Sequence, residues 1–224
     1  MAASAISTSA APAQQSISIR APDGDSIAAD EYGAGPRAVV LAHGGRFDKG
    51  SWKDQASALA KAGFRVVAID FRAAVQTRAG IETPCLYDPE CLAIDVLAAV
   101  RYLRQGGATS VAVVGGSLGG GAAAQASVVA DSGEIDRVVL LAAMSIEHPE
   151  RMKGRKLFIT TRDDLGPGDV PRLRAISDQF QKAPGPKELI ILDGSAHAQF
   201  IFATPAGSRL LAEILRFLSD SGTE

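Results

Sequence analysis

The stretch VAVVGGSLGGG, residues 111–121, decides the fold of this chain. Its four leading apolar residues predict a buried strand, and the glycines that follow predict a sharp turn into a helix that packs close behind the strand. Ser117 lies at the centre of this turn, in a Gly-x-Ser-x-Gly pattern. Such a turn exposes its central side chain and leaves almost no room for side chains on either side. The pattern is typical of a nucleophile elbow.

Two other roles are open to a glycine-rich turn, namely close packing alone and the binding of a phosphate group. The spacing of Gly119, Gly121 and Ala124 is similar to part of a dinucleotide-binding fingerprint. However, no acidic residue ends the next apolar run, at residues 137–141, and the chain contains no Gly-Lys-Ser or Gly-Lys-Thr. The sequence therefore favours a nucleophile at Ser117.

Two later apolar runs end next to residues that complete a hydrolytic set. Residues 156–161 precede Asp163 and Asp164, and residues 188–192 precede His197. Only one of the two adjacent aspartates can point at the imidazole. The resulting order is Ser, Asp, His, with each residue just beyond a predicted strand. This order differs from those of the two unrelated serine protease folds.

An earlier apolar run, residues 38–42, leads directly into His43-Gly44-Gly45. A backbone N–H in such a loop can help to form an oxyanion hole, together with the N–H of the residue that follows the nucleophile. We therefore predict Gly45 and Leu118 as the two oxyanion donors. His43 itself is expected to be a structural hydrogen-bonding residue, and His148 a solvated loop residue.

With these motifs, the chain resembles the α/β-hydrolase superfamily over about residues 15–220, including its dienelactone-hydrolase-like branch. The resemblance implies that Ser117 is the nucleophile, that His197 is the general base and that an aspartate orients the imidazole. The acid in this family lies a few residues beyond its strand, which favours Asp164 over Asp163. Dienelactone hydrolases proper use a cysteine nucleophile, so the serine argues against that particular substrate.

Alternating strands and helices predict an α/β fold with a doubly wound, mostly parallel sheet. Alternation at residues 16–20 and 26–32, around Pro22-Asp23-Gly24, predicts an antiparallel hairpin at the N-terminal edge. The parallel strands are expected at residues 38–42, 65–69, 110–114, 137–141, 157–161 and 189–192. Helices are expected at residues 52–61, 88–104, 118–130, 170–181 and 205–218.

About fifteen residues separate the strands that end near Leu141 and begin near Leu157, which leaves no room for a helical cap. We expect an open pocket, partly roofed by a loop at residues 71–87. Several large side chains could line this pocket or belong to the core. They are Phe47, Trp52, Tyr87, Met144, Phe200 and Phe202.

Length and composition predict one domain at residues 16–224, since 46% of the 224 residues are hydrophobic. Residues 1–15 are rich in Ala and Ser, and we predict that they form a flexible tail. The net charge of −2 argues against nucleic acid as a partner. No apolar stretch reaches the roughly 18 residues that span a bilayer. Oligomeric state cannot be predicted from the sequence.

Cys85 and Cys91 are the only cysteines, and they could form a disulfide or stay as free thiols. Together with the tail, they leave both a cytoplasmic and an exported location open.

The sequence therefore predicts a serine hydrolase that cleaves small carboxylic esters through an acyl-enzyme, without metal or organic cofactor. Acyl transfer, amide hydrolysis and peroxide chemistry could use the same residues. A non-catalytic binding protein with this fold is a further alternative.

Overall fold

The structure, a computed structural model, describes residues 14–220. The strands, in chain order, are β1 (Gln14–Arg20), β2 (Ser26–Tyr32), β3 (Arg37–Ala42), β4 (Arg65–Ile69), β5 (Ser110–Gly116), β6 (Arg137–Leu141), β7 (Arg155–Thr161) and β8 (Lys187–Leu192). The α-helices are α1 (Lys53–Lys61), α2 (Arg72–Arg78), α3 (Pro89–Gln105), α4 (Leu118–Val129), α5 (Arg172–Lys182) and α6 (Gly207–Ser219). None of the helices within residues 14–220 has the length and apolar character that a membrane span requires.

All eight strands form one sheet in the order β1-β2-β4-β3-β5-β6-β7-β8. The β1–β2 and β2–β4 pairs are antiparallel, and the other neighbouring pairs are parallel. The predicted α/β class, with a mostly parallel sheet and an antiparallel N-terminal hairpin, is confirmed. In the hairpin turn, Gly24 has a φ of 93°, a conformation that costs glycine little.

The parallel strands are buried because helices flank the sheet. Every residue of β3, β4, β5, β6 and β7 except the first of each strand is buried. Their Val, Ile and Leu side chains therefore contact the core whichever face they point to. The carboxyl ends of parallel strands lie along one edge of a sheet, so the loops after β3, β5, β7 and β8 meet there.

The N-terminal boundary differs from the one that alternation predicted. β1 begins at Gln14, so Gln14 and Gln15 belong to a strand and not to the predicted tail. The rest of that tail, residues 1–13, lies outside the described residues. Apolar and polar residues do not alternate clearly before Ser16, so the local pattern carries no signal for these two positions.

The prediction of a loop over residues 71–87 is wrong. This segment contains α2 and a short 3-10 helix, Pro84–Tyr87. Asp95 on α3 accepts hydrogen bonds from the backbone N–H and the side-chain Nε of Arg72, at 2.9 and 2.7 Å. These contacts satisfy a free N–H at the start of α2, a role that a local capping residue usually has. Because Asp95 lies 23 residues away in the sequence, no local signal revealed the helix.

Cys85 and Cys91 are bridged, with 5.3 Å between their Cα atoms. The bridge connects the Pro84–Tyr87 3-10 helix to the first turn of α3. Asp88 caps α3 by accepting a hydrogen bond of 2.9 Å from the N–H of Glu90. In the connection from β6 to β7, the structure has a single 3-10 turn, Pro149–Arg151.

Candidate active site

Ser117 lies between the last residue of β5 and the first residue of α4. Its φ and ψ are 51° and −111°, which a non-glycine residue rarely adopts. The N–H of Ser117 donates to Leu141 O at 2.9 Å, and the N–H of Met144 donates to Ser117 O at 3.0 Å. Both partners belong to β6 or to the loop that follows it, so the neighbouring strand holds the strained turn in place.

Close packing of α4 against the end of β3 requires glycine at position 119. A Cβ there would lie 2.6 Å from the carbonyl oxygen of His43, and it would overlap the carbonyl oxygen of Ala42. Both obstacles are backbone atoms, which cannot move aside as a flexible side chain can. The glycine therefore allows the helix to begin directly behind the strand, as the elbow pattern predicted.

Ser117, His197 and Asp164 form a continuous hydrogen-bonded chain. Ser117 Oγ lies 2.8 Å from His197 Nε2, and His197 Nδ1 lies 2.6 Å from Asp164 Oδ2. A carboxylate can only accept hydrogen bonds, so Nδ1 carries the proton of a neutral imidazole. Nε2 is then an acceptor for the hydroxyl of Ser117. The three side chains come from loops that follow β5, β7 and β8.

Burial and contacts distinguish the two adjacent aspartates. Asp164 is buried, with an exposed fraction of 1%, whereas Asp163 is exposed. Asp164 also lies 3.5 Å from Nε of Arg172, whose backbone N–H donates to Asp164 O at 3.0 Å. Asp163 instead contributes its backbone N–H to Gly194 O at 2.9 Å. The structure therefore brings Asp164, and not Asp163, to the imidazole.

The two predicted oxyanion donors lie next to each other. The Cδ2 atom of Leu118 is 3.8 Å from the position that a Cβ would take at Gly45. Leu118 is the first residue of α4, so its N–H has no acceptor within the helix. Such an N–H, at the positive end of a helix dipole, favours a negative charge nearby.

Two hydrogen bonds orient the peptide that joins Gly44 and Gly45. Gly44 O accepts one from His43 Nδ1 at 2.8 Å and one from the N–H of Phe47 at 3.0 Å. In a trans peptide, the C=O and the following N–H point in opposite directions. Fixing this carbonyl therefore also fixes the direction of the N–H of Gly45.

His43 is fully buried and has a structural role, as the sequence predicted. Its Nε2 accepts a hydrogen bond of 3.3 Å from the N–H of Phe71, while its Nδ1 donates to Gly44. Burial lowers the pKa of His43, which keeps the ring neutral. His148 lies in an exposed loop, 3.1 Å from Glu150.

Gln199 is a buried residue of this region that the sequence analysis missed. Its Oε1 accepts a hydrogen bond of 2.7 Å from the N–H of Gly44, and its Nε2 donates to Ser51 Oγ at 2.7 Å. A lone glutamine has no pattern that would reveal such contacts. Its position two residues after His197 was the only available indication.

A cavity of about 330 Å³ lies beside Gly45. It is lined by Gly45, Arg46, Phe47, Asp48, Ser51, Ala74, Thr77, Arg78 and Leu86. Phe47 also contacts Phe200, with 4.9 Å between ring centroids. Among the other predicted lining residues, Trp52 is buried and packs on Phe202.

Within residues 14–220, no group of three or more His, Cys, Asp or Glu side chains could hold a metal ion.

Comparison with known proteins extends these observations. The dienelactone hydrolase of Anabaena variabilis superimposes with a TM-score of 0.72 at 18% identity, over 94% of this chain and 97% of that chain. The Pyrococcus furiosus esterase Pf2001 gives a TM-score of 0.72 at 15% identity, over 92% of each chain. An esterase from Exiguobacterium antarcticum gives 0.71 at 14% identity, over 92% of this chain and all of that chain. At these identities the similarity establishes a shared fold.

No curated protein matches the chain. The sequence profile described as the alpha/beta hydrolase family matches residues 39–218, which include the three hydrogen-bonded side chains and both predicted oxyanion donors. The match covers most of the chain and agrees with the observed topology. The chain therefore belongs to the alpha/beta hydrolase family.

Proposed function

We propose that this protein is a serine hydrolase that cleaves carboxylic esters through an acyl-enzyme. The observation that carries the proposal is the chain of short hydrogen bonds from Ser117 Oγ through His197 to Asp164, at 2.8 and 2.6 Å. Covalent acyl transfer needs a nucleophile, a base and an acid that orients the base, all in hydrogen-bonding contact.

In the first step, His197 Nε2 accepts the hydroxyl proton as Ser117 Oγ attacks the acyl carbon. Asp164 stabilises the imidazolium that forms, because its carboxylate accepts the Nδ1 proton in a buried environment. The N–H groups of Gly45 and Leu118 donate to the oxyanion of the tetrahedral intermediate. His197 then protonates the leaving alcohol, and the acyl-enzyme is complete.

In the second step, water takes the place of the alcohol. His197 accepts a proton from water, whose oxygen attacks the acyl carbon, and the proton then returns to Ser117 as the acid leaves. The side chain of His197 is 25% exposed, so solvent reaches the imidazole of the general base. Ready access of water favours hydrolysis of the acyl-enzyme over transfer to another acceptor.

The surroundings of the site favour small acyl or alcohol groups. The cavity beside Gly45, at about 330 Å³, is near the lower end of the range for small-molecule sites. Side chains that would have to cover a long acyl chain are themselves exposed, Tyr87 by 69% and Phe200 by 46%. A long chain would therefore stay largely in contact with water.

The test is labelling with a fluorophosphonate probe, followed by mass spectrometry of the adduct. We expect one adduct, on Ser117, and we expect Ser117→Ala to lose both labelling and p-nitrophenyl acetate hydrolysis. The loss in kcat should be about 10³-fold or more, since the three residues act as a unit.

Ser127→Ala is the matched control, because Ser127 is a buried serine of α4 whose Oγ donates to the helix carbonyl of Ala124, at 2.8 Å. This variant should keep labelling and turnover. Ester turnover in Ser117→Ala above a few per cent, in protein with an unchanged circular dichroism spectrum, would contradict the proposed mechanism.

A further inference from the structure

We propose that Gln199 is a positioning residue for the oxyanion hole: it holds Gly44, and through Gly44 the N–H of Gly45, at a fixed place relative to His197. The inference rests on the proposed function, since it assigns a role within the same site. It starts from the two hydrogen bonds of 2.7 Å that the amide of Gln199 makes to the N–H of Gly44 and to Ser51 Oγ.

These bonds use both ends of the side-chain amide. The oxygen accepts from the loop after β3, and the nitrogen donates to Ser51, whose Oγ in turn donates to Asp48 O at 2.6 Å. Gln199 is 7% exposed, so water cannot easily replace either partner. A buried backbone N–H without an acceptor is destabilising, which gives this contact a strong influence on the loop conformation.

Gly44 is thereby held on both sides. Gln199 fixes its N–H, while His43 and Phe47 fix its carbonyl oxygen. Two consecutive glycines would otherwise allow the Gly44–Gly45 peptide to rotate easily, because neither residue has a Cβ. Rotation would turn the N–H of Gly45 away from the acyl oxygen. The contact from Gln199 holds the preceding His43–Gly44 peptide, and together with the two bonds to Gly44 O it keeps the N–H of Gly45 oriented before substrate binds.

The side chain of Gln199 packs in space that two glycines leave open. A Cβ at Gly116 would lie 3.3 Å from both Cγ and Oε1 of Gln199, and a Cβ at Gly44 would lie 3.4 Å from Oε1. The glycine before the nucleophile and the glycine of the oxyanion loop thus both leave space for it. The side chain of Gln199 therefore packs against both Gly116, next to the nucleophile, and Gly44, next to the predicted oxyanion donor.

The same segment carries the general base. Gln199 belongs to the 3-10 helix Ala198–Ala203, which begins directly after His197. The N–H of Phe200 donates to His197 O at 3.0 Å and stiffens this turn. Base and oxyanion peptide are therefore held by one short rigid piece of chain. A misplacement of about 1 Å at such a site can cost 10²-fold in rate.

The experiment compares Gln199→Met with Gln179→Met. Methionine has a similar length and removes both hydrogen bonds. Gln179 is a matched control, since it is 4% exposed and its Oε1 accepts 2.8 Å from the N–H of Ile146. Each variant leaves one backbone N–H without its acceptor, buried at Gly44 and partly buried at Ile146, and both variants should lose stability. We expect kcat for p-nitrophenyl acetate to fall about 10- to 100-fold in Gln199→Met, with little change in KM, and to stay near wild type in Gln179→Met.

A second measurement reports the stabilisation of the oxyanion separately from other effects on activity. Each variant is assayed with a matched ester and thionoester, in which sulfur replaces the carbonyl oxygen. N–H donors favour oxygen strongly over sulfur, so the ratio of ester to thionoester kcat reports oxyanion stabilisation. We expect this ratio to fall about tenfold in Gln199→Met and to be unchanged in Gln179→Met. Equal ratios in wild type and Gln199→Met would overturn the inference, even if overall activity declines.

If Gln199→Met does not fold, Ser51→Ala replaces it, because this variant removes the acceptor of the Gln199 amide nitrogen, together with the Ser51 bond to Asp48 O, and leaves the bond from Gly44 to Gln199 Oε1 in place. A smaller fall in the same ratio is then expected, and an unchanged ratio would contradict the inference. The Ser117→Ala variant distinguishes a failure of the proposed function from a failure of the role proposed for Gln199. If Ser117→Ala retains turnover, the proposed function fails and the role of Gln199 fails with it. If Ser117→Ala is inactive and the ratios are unchanged, only the role of Gln199 is wrong.

Discussion

At the scale of single residues, the adjacent aspartates show how position and environment separate chemically identical side chains. Asp164 is buried against His197 and Arg172, whereas Asp163 is exposed. Neighbouring residues in an irregular turn point in different directions, so only one carboxylate can reach the imidazole. The family habit favoured the residue that the structure places there, but the sequence by itself left both open.

The first prediction is that Asp164→Asn lowers kcat for p-nitrophenyl acetate by about 10⁴-fold, because an amide allows the wrong imidazole tautomer. Asp163→Asn should stay within about twofold of wild type, since only its backbone N–H makes a contact within the described residues. Steady-state kinetics of both variants provide the measurement. A larger loss in Asp163→Asn would move the orienting acid to that residue.

His43 leads to a prediction about pH. Burial lowers its folded-state pKa below the ordinary value of 6.5. As pH falls below 6.5, the unfolded chain binds a proton that the folded chain does not, so the stability contribution is complete above this pH and is lost below it. His43→Asn cannot titrate at this position. We expect Tm to fall more steeply between pH 7.5 and pH 5 in wild type than in His43→Asn, and parallel curves would argue against this role.

At the scale of elements, three short helical pieces follow β4, and the first two line the cavity beside the oxyanion loop. They are α2, the Pro84–Tyr87 3-10 helix and the first turn of α3, and the Cys85–Cys91 bridge joins the last two. Tyr87 Cε1 lies 3.9 Å from the position of a Cβ at Gly45. The bridge therefore holds a segment that contacts the proposed oxyanion donor. The sequence predicted a loop here, because the partners that stabilise these elements are distant in the chain.

Removing the bridge should make this segment more mobile, with only a modest loss in the free energy of unfolding. For a separation of six residues, the chain-entropy relation gives about 2 kcal/mol. We expect the Cys85→Ser/Cys91→Ser double variant to lose about that much free energy of unfolding and to raise KM several-fold, with a smaller effect on kcat. Chemical denaturation and ester kinetics measure these two effects.

A thiol titration of the unfolded protein checks the bridge itself. Because the sequence has two cysteines, wild type should show no free thiol before reduction and two afterwards. Two thiols without reductant, in protein prepared under oxidising conditions, would contradict the bridge.

At the scale of the whole molecule, the site is open because little of residues 14–220 lies above it. The β6–β7 connection contributes only the Pro149–Arg151 turn, and the side chains of Tyr87 and Phe200 are exposed. Each methylene that stays in water forfeits about 0.8 kcal/mol of binding energy. For the proposed esterase, the open site, more than any single residue, therefore limits the length of acyl chain that is bound well.

We expect kcat/KM on p-nitrophenyl esters to be highest at about two to four acyl carbons and to fall by about eight, because further methylenes gain no burial. Activity should not increase at a lipid interface. A series from acetate to decanoate, measured below and above the solubility limit, tests this prediction. A steady rise through octanoate and decanoate would indicate a long apolar groove and contradict the open-site argument.

The sequence by itself determined the fold class, and the membership of the superfamily that it resembled is confirmed. Apolar runs, helix start signals and the glycines around Ser117 are local features, and local sterics force a strand, a turn and a helix at those places. The order Ser, Asp, His along the chain also follows from sequence. These predictions needed no knowledge of which distant residues meet.

The tertiary structure alone decided which residues meet at the site. It placed Asp164 against His197, it capped α2 with Asp95 and it brought Gln199 to Gly44 across 155 residues of sequence. A hydrogen bond depends on distance and direction in space, and neither is encoded in a local pattern of residue types. Contacts between residues far apart in the chain exist only after the sheet has assembled, which is why they could not be predicted from the sequence.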